Sequence, residues 1–96
     1  MEIRHIRYFK AVAEEKSFTK AAKKLGINQP PLSMQIKNLE QEIGIELFYR
    51  NIHGAELTEA GQIFLKEILP IEQLMQQAIL QTQLTGSGNI GELRLG

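Results

Sequence analysis

Several side chains that could contact a nucleic acid lie close together in the middle of the chain. Gln, Ser and Asn can hydrogen-bond to the edges of bases, and Lys can bind a phosphate or a guanine. Residues of these types, with a methionine among them, lie away from the apolar side of one predicted helix: Gln29, Ser33, Met34, Lys37 and Asn38. The pattern fits DNA binding and an ordinary solvated helix equally well, because helical hairpins with polar faces are common.

The residues around this helix are basic. From Lys16 to Lys37 the chain carries five lysines and no acidic residue, although the formal net charge of the whole chain is zero. Residues 1–53 contain nine Lys or Arg and six Glu, a net charge of +3, whereas residues 54–96 contain two and five, a net charge of −3. We therefore expect a nucleic acid to bind to the first half of the chain.

Two short helices joined by a tight turn are predicted, with the helix-turn-helix over about residues 18–37 and the second helix, which begins near Gln29, continuing to Gly44. Apolar residues spaced by three and four mark the first of them: Phe18, Ala21, Ala22 and Leu25. Similar spacing marks the second: Leu32, Ile36, Leu39 and Ile43. Ser17 is a suitable N-cap for the first helix, and Gly26 and Gly44 suit the left-handed conformation that ends a helix. Two short helices with a glycine in the turn form a helix-turn-helix.

Elements on either side of this hairpin complete a small domain. A first helix is predicted over about residues 2–15, and its His5 is expected to be packed or at the surface rather than a metal ligand. Residues 46–51 and 55–57 read as two short strands joined by a turn at residues 53 and 54, which makes a wing. Arg50 and His53 are the expected phosphate or minor-groove contacts of this wing. The alternative for Arg50 is a surface ion pair.

A long helix is predicted from Glu59 to about Thr85, with Thr58 as its N-cap. Such a helix measures roughly 40 Å at 1.5 Å per residue. Apolar residues four and three apart form a seam typical of a coiled coil: Phe64, Ile68, Ile71, Met75 and Ala78. The small bundle is not expected to cover this surface, so we predict a homodimer through the seam. The alternative is a helix packed entirely within one chain.

Composition argues against other classes of protein. There is no Cys, so disulfide frameworks and thiolate metal sites are excluded. Two isolated histidines and no nucleophile–base pair leave little basis for an enzyme, a metal site or a cofactor in this segment. No apolar run approaches the roughly 18 residues of a membrane span. The first residues lack the pattern of a secretory signal, so a cytoplasmic protein without a membrane partner is expected.

The chain resembles the N-terminal domain of LysR-type bacterial transcriptional regulators. The resemblance covers residues 3–50 and the later Leu57–Gly61, and it rests on a specific set of positions: Ser17, Phe18, Ala21, Ala22, Leu25, Gln29, Pro30, Leu32, Ser33, Gln35, Ile36, Leu39, Glu40, Gly44, Leu47, Phe48, Arg50, Leu57, Thr58, Ala60 and Gly61. It implies a mainly α fold, in which a three-helix bundle and a two-stranded wing form a winged helix-turn-helix that is followed by a dimerisation helix.

The resemblance also implies a domain organisation. Residues 1–58 would be the DNA-binding domain, 59–85 a linker helix that pairs two chains, and 86–96 a hinge and the start of a further domain. That further domain would bind a small-molecule effector, and the full-length protein would form dimers or tetramers.

For the site, the resemblance places the residues matching Gln29, Pro30, Ser33 and Met34 at the major groove and the wing in the minor groove of double-stranded DNA. Two departures stand out. Relatives commonly carry Arg at the position of Met34 and an Arg near His53, so the sequence preference of this chain is expected to differ from theirs. The alternative function is a dimerisation module that does not bind DNA.

Overall fold

Four helices and one β-hairpin make up the part of the chain that the computed structural model describes, residues 1–87. The elements are α1 (Ile3–Glu15), α2 (Phe18–Leu25), α3 (Gln29–Ile43), β1 (Phe48–Asn51), β2 (Gly54–Leu57) and α4 (Glu59–Ser87). This order confirms the predicted mainly α fold with a winged helix-turn-helix. Residues 88–96, which include most of the expected hinge and the expected start of a further domain, lie outside the described residues.

The ends of the helices follow from local chemistry. Ser17 Oγ accepts a hydrogen bond of 3.1 Å from the backbone N–H of Lys20, which caps α2. Gly26 and Gly44 take positive φ angles of 72° and 90° directly after α2 and α3, where a residue with a Cβ would be strained. All three residues therefore have the role predicted for them.

Aromatic rings join the elements of the first domain. Phe9 of α1 is fully buried, and its ring lies 5.3 Å from that of Phe48 in β1 and 5.0 Å from that of Phe64 in α4. Phe18 of α2 meets Phe48 edge-on at 5.8 Å. Rings at these distances and tilts attract one another beyond the burial of their area. Aliphatic side chains of α3 complete the core: Leu32, Ile36 and Leu39.

The wing is shorter at its start than predicted. β1 pairs with β2 antiparallel from Phe48, opposite Leu57, to Asn51, opposite Gly54. The expected strand residues 46 and 47 do not belong to it. Thr58 N–H donates to the carbonyl of Leu47 at 3.0 Å, but the reciprocal ladder bond is not made, because the N–H of Leu47 donates to the Glu40 carboxylate at 2.7 Å and the carbonyl of Thr58 accepts from Gln62 at 2.9 Å. The carbonyl of Glu46 accepts a hydrogen bond of 2.7 Å from Thr58 Oγ.

Two close approaches require glycine. A Cβ on Gly54, which has a φ of 130°, would lie 2.4 Å from the carbonyl oxygen of Lys16. A Cβ on Gly61 would lie 2.1 Å from the carbonyl oxygen of Leu47. Both distances are far inside van der Waals contact, so these glycines let the wing and the start of α4 approach the rest of the domain.

The long helix begins where predicted and ends later. Thr58 Oγ accepts a hydrogen bond of 3.0 Å from the N–H of Gly61, which confirms the N-cap. α4 then continues to Ser87, so Gly86 and Ser87, expected in the hinge, are helical.

The chain forms two compact units, one over Met1–Lys66 and one that begins at Glu67. Within residues 1–87, no helix has the length and apolar content needed to cross a membrane.

Glu40 connects α3 to the wing. Its carboxylate is buried, with 7% of the residue exposed. One oxygen accepts hydrogen bonds from the N–H groups of Leu47 at 2.7 Å and Phe48 at 3.2 Å, and the other accepts one from Arg50 at 3.1 Å. Hydrogen bonds to a charged group are stronger than neutral ones, and a buried charge needs them to offset its lost hydration.

We predict that Glu40→Ala lowers the free energy of unfolding by about 3 kcal/mol, since it leaves buried donors and a partly buried guanidinium without their acceptor. Urea unfolding followed by circular dichroism measures the change. Gln41→Ala, one residue along on the exposed side of α3, is the matched control and should stay within about 0.5 kcal/mol of wild type. Equal stability of the two variants would contradict this role of Glu40.

Candidate nucleic-acid interface

One side of α3 is open to solvent. Its apolar stripe, Leu32, Ile36 and Leu39, is completely buried, which turns the opposite side of the helix outward. Most predicted DNA-contacting residues on this helix are exposed: Pro30, Met34, Lys37 and Asn38. Two more are half-buried, Gln29 and Ser33. The predicted residues therefore form one continuous surface that begins at the first turn of α3.

The half-buried pair faces the wing. A cleft of about 370 Å³ has Gln29 and Ser33 on one side and wing residues Arg50 and His53 on the other. His53 lies in the turn between the strands, where its backbone N–H donates a 2.8 Å hydrogen bond to the side chain of Asn51. The fold thus brings together two predicted groups of residues that are about twenty positions apart in the sequence.

Arg50 is held inside the domain more firmly than the other predicted contacts. Its guanidinium donates to Glu40 and lies 5.0 Å from the centre of the Phe18 ring, and its side chain is 30% exposed. The ion pair considered as the alternative is therefore present, with a partly buried geometry. Because a guanidinium has five N–H donors, the bond to Glu40 does not use all of them. Contact between Arg50 and DNA stays a prediction.

The role of Glu40 was not predicted from the sequence, where this residue is only one of the positions that carry the family resemblance. A signal was present, because Glu40 follows Ile36 by four positions and so falls on the buried side of α3. An acid on the apolar side of a helix implies nearby donors.

The basic stretch is only partly available for a nucleic acid. Lys24 Nζ lies 3.2 Å from a carboxylate oxygen of Glu14 and 3.5 Å from one of Glu15. The hydrogen bond to Glu14 is the main reason that the pKa of Lys24 is raised. These acids offset the charge of Lys24, which is exposed like Lys20 and Lys23 of the same helix.

His5 is packed, as expected. It is 7% exposed, and its Nδ1 accepts a 3.0 Å hydrogen bond from the backbone N–H of Glu2. The proton of the neutral ring therefore lies on Nε2, which is 2.8 Å from the side-chain oxygen of Gln35. This bond ties α1 to the recognition helix. Among residues 1–87, no three His, Cys, Asp or Glu side chains are placed to share a metal ion.

The predicted dimerisation residues differ in their surroundings. Phe64 is half-buried against Phe9 of the same chain, and Ile68 is 5% exposed. Ile71 is 52% exposed, Ala78 is exposed and Met75 is half-buried. Other large apolar side chains on α4 are more than half exposed: Ile63, Leu74, Ile79, Leu80 and Leu84. Pairing of two chains through this helix stays a prediction.

Comparison with known proteins agrees with this architecture. Residues 3–62 match the sequence model of the family described as bacterial regulatory helix-turn-helix protein, lysR family. The chain is 50% identical over all its 96 residues to the HTH-type transcriptional regulator BudR of Klebsiella aerogenes, and it covers 67% of that protein. It spans only 32% to 42% of the length of three other curated relatives.

Solved structures match as well. The BenM DNA-binding domain in complex with catB site 1 DNA superposes with a TM-score of 0.87 at 47% identity, covering 93% of this chain and all of that one. The CbnR DNA-binding domain in complex with DNA gives 0.82 at 38% identity, covering 86% of this chain and 95% of that one.

These matches confirm the winged helix-turn-helix fold. They also support the expectation that the chain is not an enzyme, since the relatives are transcriptional regulators. The chain belongs to the lysR family of bacterial regulatory helix-turn-helix proteins, and its fold is that of the family's DNA-binding domain.

Proposed function

We propose that this chain binds double-stranded DNA sequence-specifically, as a homodimer, and serves as the DNA-binding part of a transcription regulator. The observation that carries the proposal is the continuous exposed surface of α3 beside the wing, which holds Gln29, Ser33, Lys37 and Asn38 with Met34 at its centre. Similarity to BenM and CbnR domains, which were solved with DNA bound, supports it.

The recognition helix suits the major groove of DNA. That groove is about 12 Å wide and admits an α-helix, whose exposed side chains then reach the base edges. Gln29, Ser33 and Asn38 carry hydrogen-bonding groups, and Lys37 carries a charge for phosphate or guanine. The predominantly basic first half of the chain attracts the phosphate backbone, and the wing, with His53 at its turn, would contact the minor groove beside it.

Salt dependence tests DNA binding itself. We predict that the dissociation constant on duplex DNA rises steeply with salt, because each bound phosphate releases counterions. Lys37→Ala should make the slope of log K against log salt shallower by about one. Fluorescence anisotropy between roughly 50 and 200 mM salt measures both slopes. A dimerisation module without DNA binding would show no titration at any of these concentrations.

Ser33 is predicted to read bases. Ser33 is half-buried beside the wing, and its short side chain can reach only a nearby base edge. Because that base is present only in the specific site, loss of the hydroxyl should affect the specific site more than random DNA. We expect Ser33→Ala to weaken specific binding by about tenfold, the lower end for a base contact, and non-specific binding hardly at all. Parallel titrations of the two duplexes decide this, and equal losses on both would contradict base reading by Ser33.

Pairing through α4 would place two recognition helices on one DNA. Dimeric helix-turn-helix proteins bind half-sites about one helical turn, roughly 34–36 Å, or multiples of it, apart. The exposed apolar residues of α4, among them Ile71, Leu74 and Ile79, supply a surface that a second copy would cover.

We predict that Ile71→Glu produces monomers, because the carboxylate would have to be buried without a partner. Light scattering should then give half the wild-type mass. Gln73→Glu introduces the same charge at an exposed polar position of the same helix and should leave the mass unchanged. An undiminished mass for Ile71→Glu would rule out this part of the seam.

The length of the relatives supports a proposal about the whole protein. We propose that this domain acts within a cytoplasmic regulator in which residues 86–96 lead into a further domain that binds a small-molecule effector. Support comes from the length of the relatives, of which this chain spans about a third in several cases. Assembly into dimers or tetramers, and no membrane partner, belong to the same proposal.

A further inference from the structure

Met34 stands at the centre of the exposed side of α3. It is 63% exposed, whereas the core residues Leu32 and Ile36 on either side of it in sequence are completely buried. The residues one turn away along the same side are also exposed: Pro30, Lys37 and Asn38. The methionine therefore contributes little to the core. If α3 enters a groove of DNA with its exposed side, the Met34 side chain lies against the base edges.

The chemistry of methionine limits what it could recognise there. A thioether has no hydrogen-bond donor and is only a weak acceptor, so Met34 differs from the polar residues around it. Its unbranched, polarisable side chain adapts to the shape of an apolar partner. On the base edges of the major groove, the apolar group is the methyl at C5 of thymine.

We infer that Met34 contacts the 5-methyl group of a thymine in the major groove and thereby makes thymine the preferred base at one position of each half-site. The inference rests on the proposed function and adds to it the base that this residue selects. Burial of the methyl group against the thioether supplies the preference, without a hydrogen bond.

Deoxyuridine provides the test, because it pairs with adenine as thymine does and lacks only the methyl group. The probe is a duplex enriched by the wild-type chain from a pool of randomised duplexes. Each thymine of this duplex is then replaced singly by deoxyuridine. We expect about fourfold weaker binding at one position of each half-site, the factor for burying one methyl-sized group, and little change elsewhere.

Variants assign the effect to Met34. Met34→Ala should bind thymine and deoxyuridine duplexes equally at that position, whereas Met34→Leu should retain the preference for thymine. Lys37→Ala is the matched control: it is exposed on the same side of α3, and it should weaken binding to both duplexes while keeping their ratio. All three changes lie at exposed positions, and circular dichroism verifies that the variants fold.

Two results would overturn the inference alone. One is equal binding by wild type to every singly substituted duplex, and the other is an unchanged preference for thymine in Met34→Ala. Failure of the proposed function looks different, because then no duplex is enriched and no salt-dependent binding is seen. That result would overturn the function and the inference together.

Discussion

A buried carboxylate holds the DNA-binding part of this protein together. Glu40 accepts hydrogen bonds from two consecutive backbone N–H groups at the start of the wing and from Arg50 within it. These donors compensate the lost hydration of the charge, and they are in place only if the chain turns back after Gly44. These bonds therefore fix the wing relative to the recognition helix. The cleft between the two elements is lined by residues of both.

Folding and the proposed DNA recognition use different faces of α3. Leu32, Ile36 and Leu39 are completely buried, while Met34 and Lys37 on the other side are exposed. We consequently expect changes on the outer face to have little effect on stability. Arg50 belongs to both groups, because it pairs with Glu40 and also borders the cleft. Through its pairing with Glu40 it holds the wing to α3.

The surroundings of α4 differ along its length. Its start is anchored, since Thr58 caps it, Gly61 passes close to Leu47, and the ring of Phe64 packs against Phe9. Beyond Glu67 the helix carries exposed apolar side chains such as Ile71 and Leu74. The start of the helix is thus packed within the first domain, whereas the proposed pairing with a second copy would use the exposed apolar side chains that follow it.

Local sequence determined where most elements begin and end. Ser17, Gly26, Gly44 and Thr58 act through hydrogen bonds and backbone angles within a few residues, so their roles were readable from residue type and spacing. The apolar spacing likewise identified the exposed side of α3 and hence its candidate contacts. Tertiary structure decided everything that depends on partners distant in the chain. It made Glu40 the acceptor for the wing, directed Arg50 inward, placed Phe64 against Phe9 and moved the start of β1 to Phe48, because each needs groups that only the folded chain brings within contact.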